Sequence, residues 1–417
     1  MIVHKFGGAS IKDAASIRHL AVLIKTHVKE GGVIVLSAIG KTTNALEEVT
    51  YAAFSGEERW KSLLKEVEAH HLSLCDALFP ENPQVVEREI LSLFHALEKA
   101  IRHTETDNFN CFYDTVVSYG ERIGSTLVWH FLKASGLPIT QVPATETLIT
   151  DHSFREAKIN WEATSKAVTK AFPNPRGYYL TQGFIAGTPE GAVTTLGREG
   201  SDFSAAVIAN ILHAKEVWIW KDVNGLYNAD PHRFPQARLL PKATYTECME
   251  LAYYGAQVVH PRTLAPLQQK RIPLHIHSFK QPENGGTTVT AAHTDKIEVP
   301  CTIIKEKQCL ITLTPKQIGF MTEEYLEKII ALFKEHSIRI NLLQSSAVNL
   351  TLCFDDDPYR FHPLQTALKA TFEVRYNRSL SLLTVVNYVQ RQIADYSAQK
   401  TIYLTQQSRR ILRLVYR

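Results

Sequence analysis

Long apolar runs, closely spaced cysteines and an excess of charge are all missing from this 417-residue sequence. No apolar run approaches the roughly 20 residues that a membrane-spanning helix needs, so we expect no membrane association. The six cysteines are scattered, without the spacing of a zinc site or a redox motif, so we expect free thiols in a reducing compartment. The formal net charge is only +4 and Lys and Arg form no dense block, which argues against nucleic acid as a partner.

What is present is an ordinary globular composition, with 45% hydrophobic and 21% charged residues. The length is sufficient for two or three domains with real cores. The first residues, MIVHKFGG, enter a predicted strand at once and leave no room for a signal peptide. We therefore expect a soluble, cytoplasmic protein.

The hydrophobic pattern changes character near the segment PENGG at about residue 285. Before it, a strand at 2–6, a helix at 17–28 and a buried strand at 33–37 predict a right-handed crossover and a parallel sheet. After it, the order β-α-β-β-α-β, with the first strand at 309–314 and the last at 372–376, predicts a ferredoxin-like split. The pattern predicts a first domain over residues 1–292 and a second region over 293–417.

Two glycines, Gly7 and Gly8, follow the first strand in the segment HKFGGAS. A glycine pair lets the backbone approach a phosphate closely, and the helix that follows offers free N–H groups and a positive dipole end. Lys5 would then place its ammonium group on a phosphoryl group in transfer. Taken alone, a glycine turn beside a surface lysine explains this segment equally well.

A second glycine-containing segment, TTLGREGSD, precedes a helix predicted at 202–213. Arg198 in this segment can grip a carboxylate through two parallel hydrogen bonds. Asp202 stands where a helix cap is expected, and capping alone would account for it.

Three further segments carry polar groups at positions that favour a site. WKDVNGLYNADP leaves the carboxyl end of a strand, where open α/β sheets bind ligands. YGERIGS places Glu121 on a predicted helix, where it can meet a substrate ammonium or simply face solvent. SAIGKTTN follows the second strand and supplies hydroxyl groups, as many loops without function also do.

Together these segments resemble the aspartokinase family of the amino-acid-kinase superfamily. KFGG, GERIGS, GREGSD, KDVNGLYNADP and GAQVVHPRTL occur in the family's order over residues 1 to about 292, and the likeness continues more loosely to the C-terminus. The resemblance implies an α/β fold, with a three-layer α/β/α sandwich and a mostly parallel sheet, followed by a ferredoxin-like ACT region.

The resemblance also implies the residues of the site. Lys5 would stabilise the transition-state phosphates and Asp202 would organise the site. The positions that correspond to aspartate contacts are Ser37, Thr43, Glu121, Arg198 and Ser201. The positions that correspond to ATP contacts are Lys5, Gly7, Gly8, Lys221, Asp222, Tyr227 and Arg233. Mg²⁺ is implied with ATP, without a protein side chain assigned as its ligand.

Three positions depart from the family's pattern. Ala9 replaces a threonine, and Glu199 replaces a glycine and brings negative charge near a phosphate loop. Gln257 stands where many relatives have a lysine that reaches an ATP phosphate. Whether Arg262 or Lys270 supplies the missing charge is open at this point.

Residues 293–417 resemble the ACT regulatory region of the same family, with a second module that is shortened. The loop at 314–321 and the strand after it offer Gly319, Met321 and Asn341 as candidates for binding a lysine or threonine effector. The alternative is a purely structural tail. Because ACT modules pair across subunits, the resemblance implies a homodimer through this region.

The implied activity is that of an aspartate kinase, which phosphorylates the L-aspartate side-chain carboxylate with ATP. Its products are 4-phospho-L-aspartate and ADP, and the reaction is the first step towards lysine, threonine and methionine. Two alternatives stay open: a kinase for a related amino acid such as glutamate, and a non-catalytic amino-acid sensor that keeps the fold.

Overall fold

The computed structural model describes residues 1–28, 30–103, 108–256, 259–292, 297, 299–390 and 393–417. Gln257, one of the three departures from the family pattern, lies outside the described residues. The chain divides into two compact units. Unit 1 comprises Met1–Leu226, Leu239–Met249 and Val258–Asp295, and unit 2 comprises Tyr227–Arg238, Glu250–Gln257 and Lys296–Arg417.

The first part of the chain alternates strands and helices. Its strands are β1 (Val3–Phe6), β2 (Gly32–Leu36), β3 (Ile139–Val142), β4 (Tyr178–Gln182), β5 (Ile185–Gly187), β6 (Val193–Thr195), β7 (Val217–Lys221), β8 (Lys242–Thr244), β9 (Leu274–Ser278) and β10 (Gly286–Thr290). Its α-helices are α1 (Ala14–His27), α2 (Thr42–Phe54), α3 (Trp60–Leu78), α4 (Gln84–His103), α5 (Phe109–Ala134), α6 (Ala144–Thr147), α7 (Trp161–Ala171), α8 (Gly200–Ile211), α9 (Tyr245–Tyr254) and α10 (Pro261–Lys270). Short 3-10 helices cover Gly8–Ile11 and Pro282–Asn284.

Among the described residues, eight of these strands form one sheet in the order β3-β4-β2-β1-β7-β9-β10-β8. Every neighbouring pair is parallel except β9 and β10. β5 and β6 form a separate antiparallel hairpin. The prediction of a mostly parallel sheet is therefore confirmed.

Helices cover both faces of this sheet, because successive side chains of a strand point in opposite directions. Phe6 packs into a core cluster shared with residues of α1 to α5. Its neighbour Lys5 points the other way, towards Asp202 on α8. Since α8 packs against β1, β2 and β7, the central strands lie between two helical layers, as the three-layer sandwich implies.

Unit 2 contains an antiparallel sheet with the strand order β12-β13-β11-β14-β16-β15. The elements are β11 (Cys301–Pro315), α11 (Glu323–Glu335), β12 (Ile340–Ser345), β13 (Leu350–Asp355), α12 (Pro358–Lys369), β14 (Phe372–Val386), α13 (Ile393–Ser397), β15 (Ile402–Gln407) and β16 (Ile411–Tyr416). From β11 to β14 they follow the order β-α-β-β-α-β, which confirms the predicted ferredoxin-like arrangement.

Two strands of unit 2 are much longer than the sequence pattern predicts, since β11 and β14 each have 15 residues. Their first pairing joins Leu310–Pro315 to Phe372–Asn377, and their second joins Cys301–Lys305 to Leu382–Val386. The register shifts between these two stretches, and Lys307 there has a φ of 52°. This irregularity interrupts the alternation on which strand prediction depends, so the sequence pattern predicted neither the first half of β11 nor the continuity of β14.

No helix in the described ranges is both long enough and apolar enough to cross a membrane.

Candidate active site

A cavity of about 710 Å³ in unit 1 is lined by residues at the carboxyl ends of β1, β2 and β7. These strands are neighbours and parallel, so the residues that follow them converge at one edge of the sheet. The cavity brings together every predicted catalytic and aspartate-contacting residue: Lys5, Ser37, Thr43, Glu121, Arg198, Ser201 and Asp202. Lys221, from the predicted ATP set, lines it as well.

A charge cluster of two lysines and one aspartate lies at the sheet side of this cavity. The Lys5 Nζ atom is 2.6 Å from Asp202 Oδ1, and the Lys221 Nζ atom is 3.2 Å from Asp202 Oδ2. Burial alone would raise the pKa of Asp202, but the Lys221 and Lys5 ammonium groups hold that pKa at about 2. The carboxylate is thus ionised, and the cluster keeps one net positive charge for an anionic ligand.

Glu121 is buried on α5 and only half of its carboxylate has a partner. The Thr43 hydroxyl donates to Glu121 Oε1 at 3.3 Å, whereas Oε2 has no hydrogen-bond partner among the described residues. Burial raises the pKa of Glu121 to about 8, although the backbone N–H groups of Glu121 and Ala38 and the Thr43 hydroxyl oppose this shift. A buried acceptor without a donor costs free energy, so Oε2 is a position prepared for a ligand N–H group.

Glycines bring α5 close enough to the loop after β2 for Glu121 to reach the cavity. A Cβ added at Gly124 would stand 3.1 Å from Ile39 Cγ1 and 3.2 Å from the Ile39 backbone nitrogen. The GERIGS motif therefore has a packing role that the sequence analysis did not assign to it.

The loops after β1 and β2 also meet at very short range. A Cβ added at Gly8 would stand 2.6 Å from the Gly40 carbonyl oxygen and 2.7 Å from that of Ala38. Glycine is required at this position whether or not a phosphate binds there. Gly7 and Gly8 are not among the residues that line the cavity.

The start of α8 differs from the prediction. The helix begins at Gly200, so Asp202 lies in its first turn and the N-cap residue is Glu199. The capping explanation of Asp202 is therefore wrong. Glu199 has a φ of 52°, a backbone conformation that favours glycine. Its carboxylate accepts a hydrogen bond from the His260 backbone N–H at 2.8 Å, at the N-terminus of α10.

Arg262 makes contacts within unit 1 and does not line the cavity. Its guanidinium donates to the carbonyl oxygens of Leu196 at 2.6 Å and Ala157 at 3.1 Å. It also lies 4.2 Å from the centre of the Phe203 ring. Lys270, in the last turn of α10, does not line the cavity either. In this structure neither residue contributes its charge to the cavity.

The remaining predicted ATP residues lie outside the cavity. Asp222 is exposed and does not line it. Tyr227 and Arg233 belong to unit 2, where Arg233 Nη1 is 2.7 Å from Glu306 Oε1. Their role with ATP stays a prediction.

A metal site made by the protein alone is not found within the described ranges, where no group of three His, Cys, Asp or Glu side chains could hold an ion. Asp202 is the one carboxylate in the charge cluster, and two ammonium groups already pair with it.

Sequence analysis missed a buried carboxylate, Asp114, which lies two helical turns before Glu121 on α5. Its Oδ2 atom accepts from the backbone N–H of Arg155 at 2.9 Å and of Thr195 at 2.7 Å. Its Oδ1 atom accepts from the Thr195 hydroxyl at 2.7 Å. An aspartate within the otherwise apolar run CFYDTVV was the available signal, since buried charges are rarely without partners.

In unit 2, the predicted effector residue Asn341 is buried and its side chain is fully occupied. Its Nδ2 atom donates to Gln308 Oε1 at 2.8 Å and to Asp355 Oδ1 at 2.9 Å, and its Oδ1 atom accepts from Lys305 Nζ at 2.9 Å. Arg413 donates to its carbonyl oxygen at 2.7 Å. An effector could use this amide only by displacing one of these partners.

The other two effector candidates lie on an exposed loop before α11. Gly319 is exposed, and the Met321 backbone N–H donates to the Ala347 carbonyl oxygen at 2.9 Å. Ile318 and Phe320 in this loop are exposed apolar side chains. Strand β12, which ends two residues before Ala347, is at the edge of the sheet.

Comparisons with known proteins agree with this geometry. Residues 1–278 match the model of the Amino acid kinase family. Aspartokinase 1, chloroplastic, of Arabidopsis thaliana is 31% identical over 85% of this chain, which spans only 63% of that relative's length. Aspartokinase 3, chloroplastic, of the same plant is 30% identical, with 93% of this chain and 72% of the relative covered.

Two crystal structures of Escherichia coli aspartokinase III share 26% identity with this chain and cover 100% of it. The complex with aspartate and ADP (R-state) has a TM-score of 0.83, with 96% of its chain covered. The complex with lysine and aspartate (T-state) has a TM-score of 0.82, with 95% of its chain covered. Family model, relatives and architecture agree, and this chain belongs to the amino acid kinase family and, within it, to the aspartokinases.

Proposed function

We propose that this protein is an aspartate kinase, which transfers the γ-phosphoryl group of ATP to the side-chain carboxylate of L-aspartate. The observation that carries the proposal is the unpartnered, buried Glu121 Oε2 in the same cavity as the Lys5–Asp202–Lys221 charge cluster. One end of the cavity suits an ammonium group and the other suits phosphate. The E. coli aspartokinase III structure with aspartate and ADP supports the same substrates.

The acceptor amino acid is recognised by opposite charges at its two ends. Glu121 receives the substrate ammonium, whose positive charge favours the ionised carboxylate and which supplies the donor that Oε2 lacks. Arg198, which is exposed and lines the same cavity, takes the α-carboxylate. Ser37 and Ser201, whose hydroxyls are 3.0 Å apart, face the side-chain carboxylate that accepts the phosphoryl group.

Phosphoryl transfer is then in-line attack by a carboxylate oxygen on the γ-phosphorus. The acceptor is already ionised at neutral pH, so no general base is needed. Lys5 and Lys221 neutralise the charge that develops on the phosphoryl oxygens, and Asp202 fixes both ammonium groups in place. Asp202 acts here as an organising group and not as a proton acceptor.

Mg²⁺ fits this site as a companion of the nucleotide and not as a resident ion. The described residues offer no carboxylate cluster for it, and Mg²⁺ often binds through substrate phosphates with few protein ligands. When bound, it would supply additional charge neutralisation on the phosphates. Asp222, Tyr227 and Arg233 remain proposed contacts of the nucleotide.

ADP release from purified protein with ATP, Mg²⁺ and L-aspartate tests the activity. We expect aspartate-dependent turnover, with L-glutamate at equal concentration giving a small fraction of that rate. Turnover with glutamate in place of aspartate would favour the related-kinase alternative. Aspartate binding without any ADP release would favour the sensor.

For regulation, we propose a homodimer through unit 2 and inhibition by lysine or threonine near Gly319 and Met321. The exposed apolar Ile318 and Phe320 and the edge position of β12 support a partner at this surface. The lysine complex of E. coli aspartokinase III supports an amino-acid effector.

Light scattering of the Phe320→Asp variant tests the dimer, and titration of each amino acid into the active enzyme tests inhibition. A cytoplasmic location stays a prediction from the sequence.

A further inference from the structure

Arg155 lies in the loop before α7 and has a φ of 69°, in the left-handed region that favours glycine. The Arg155 backbone N–H donates to the buried Asp114 carboxylate at 2.9 Å, which holds this conformation. A residue kept in an unfavourable backbone conformation beside a cavity points to a role for its side chain.

The same carboxylate places Arg155 next to the segment that carries Arg198. Asp114 Oδ2 also accepts the Thr195 backbone N–H, and the Ala157 N–H donates to the Thr195 carbonyl oxygen at 3.0 Å. A Cβ added at Gly197 would stand 3.0 Å from the Arg155 carbonyl oxygen. The two arginines therefore come from adjacent segments, and both line the cavity.

Within the described part of the chain, no carboxylate forms a salt bridge with the Arg155 or Arg198 guanidinium, although the buried Asp114 carboxylate interacts with the charge of Arg155. Arg155 stacks on Tyr113, with its guanidinium carbon 4.4 Å from the ring centre. The Tyr113 hydroxyl donates in turn to Glu47 Oε1 at 2.5 Å. The stacking fixes the side chain, because the ring covers one face of the guanidinium. The N–H groups lie in the plane of the guanidinium, so the ring accepts none of them and they stay available at its edge.

We propose that Arg155 is a second carboxylate-binding residue, which holds the α-carboxylate of the acceptor amino acid together with Arg198. This inference rests on the proposed aspartate kinase function. Two guanidinium groups that line one cavity repel each other, and an anion bound between them offsets this repulsion. One carboxylate has two oxygens and can accept hydrogen bonds from both. Because the α-carboxylate does not change charge in the reaction, Arg155 acts on substrate binding and not on the chemical step.

Arg155→Gly tests the proposal because it removes the guanidinium. Glycine also adopts a left-handed φ without strain, so the variant should fold without loss of stability. We expect the KM for aspartate to rise about tenfold or more, as for a lost hydrogen bond to a charged group. The kcat and the KM for ATP should change by less than about twofold. Arg155→Lys keeps a charge without the fork and should give a smaller rise.

A second ligand isolates the contact itself. L-isoasparagine, the α-amide of aspartate, keeps the ammonium group and the side-chain carboxylate but has no α-carboxylate charge. In calorimetric titrations, Arg155→Gly should weaken the binding of L-aspartate and leave that of L-isoasparagine nearly unchanged. Equal weakening for both ligands would overturn the proposal, as would an unchanged affinity for aspartate or a rise confined to the KM for ATP.

Arg271 provides the matched control, because it also has a left-handed φ, 54°, and lies at the C-terminus of α10, outside the residues that line the cavity. Arg271→Gly should leave both KM values unchanged. A rise in the KM for aspartate equal to that of Arg155→Gly would contradict the proposed role of Arg155. If the wild type binds aspartate but releases no ADP, the kinase function fails, while the calorimetric comparison still decides the role of Arg155.

Discussion

Each of the two compact units buries a network of charged and polar side chains, and the two networks differ in what they leave unpaired. In unit 1, Asp202 is shared between two lysines, and Glu121 Oε2 nearby has no partner among the described residues. In unit 2, Asn341 has a partner for each of its side-chain hydrogen-bonding atoms, and Lys305 and Asp355 are held by the same amide.

The difference separates a site from a structural device. A buried acceptor without a donor is costly in the free protein, and a ligand that supplies the donor removes that cost. A network in which every member has a partner offers a ligand nothing without first breaking an existing bond. By this criterion Glu121 offers a ligand a free acceptor, as the proposed function requires, whereas Asn341 fixes the relative positions of β11, β12 and β13.

The largest expected effect comes from breaking the network of unit 1 at Lys5. Lys5→Ala should lower kcat about 10²-fold or more, since a single electrostatic contact to the transition state is typically worth that much. Aspartate binding should remain, because Glu121 and Arg198 are untouched. Steady-state kinetics with a calorimetric aspartate titration would measure both. A variant within threefold of wild-type kcat would refute the role given to Lys5.

The second prediction uses the raised pKa of Glu121, about 8 against an ordinary value of 4.5. Between these values the folded protein keeps the proton that the unfolded chain has lost, so the stability of the free protein falls as pH rises from about 4.5 to about 8. Glu121→Gln removes this loss, which is on the order of 5 kcal/mol at full ionisation.

Thermal unfolding of the wild type and the Glu121→Gln variant from pH 5 to pH 9, without ligand, would measure this loss of stability. The variant should lose much of the alkaline decline while its KM for aspartate rises. Parallel stability curves for the two proteins would contradict the proposed burial of an uncompensated carboxyl group.

The third prediction addresses the satisfied network of unit 2. Asn341→Ala removes the hydrogen-bond partner of three side chains, Lys305, Gln308 and Asp355. The variant should lose about 1–3 kcal/mol of stability without a change in the KM for aspartate. Denaturant unfolding and kinetics on the same preparation would test this. Asn284→Ala, which removes an exposed hydrogen bond to Gln281, is the control and should have little effect. If Asn341→Ala abolishes inhibition by lysine at unchanged stability, the residue is an effector contact after all.

The smallest effect is expected at the exposed pair Arg233 and Glu306, which lies outside both networks. Exposed ion pairs contribute little, so Arg233→Ala and Glu306→Ala should each shift the unfolding midpoint by less than about 2 °C. Only Arg233→Ala should raise the KM for ATP if the predicted nucleotide contact is correct. Equal KM values in the two variants would remove Arg233 from the ATP set.

The sequence predicted the parallel sheet and the residues of the charge cluster because each belongs to a local pattern. Lys5 and Lys221 stand at the ends of apolar strands, and Asp202 and Glu121 lie in glycine-containing motifs. Such signals depend on a few consecutive residues, which is the range over which a sequence can be interpreted directly.

Features that depend on distant contacts were missed or misjudged. Nothing near Arg155 indicates a left-handed backbone, since that conformation depends on Asp114, which is 41 residues away in sequence. Asn341 was predicted to meet a ligand because it stands on the strand after the candidate loop and its amide offers both a donor and an acceptor, but its side-chain partners come from two other strands. The cap assigned to Asp202 failed because the helix starts two residues earlier, at Gly200.

The length of β11 and β14 has a consequence for how the C-terminal part of the chain can be shortened. Both strands run through the ferredoxin-like half and continue into the part of the sheet that ends with β16 and β15. A truncation after Val386 would leave the row from Ser381 to Val386 without its β16 neighbour. That row is largely apolar and mostly buried, and an exposed apolar strand edge promotes aggregation. The last two strands therefore protect the solubility of the whole chain, independently of any effector.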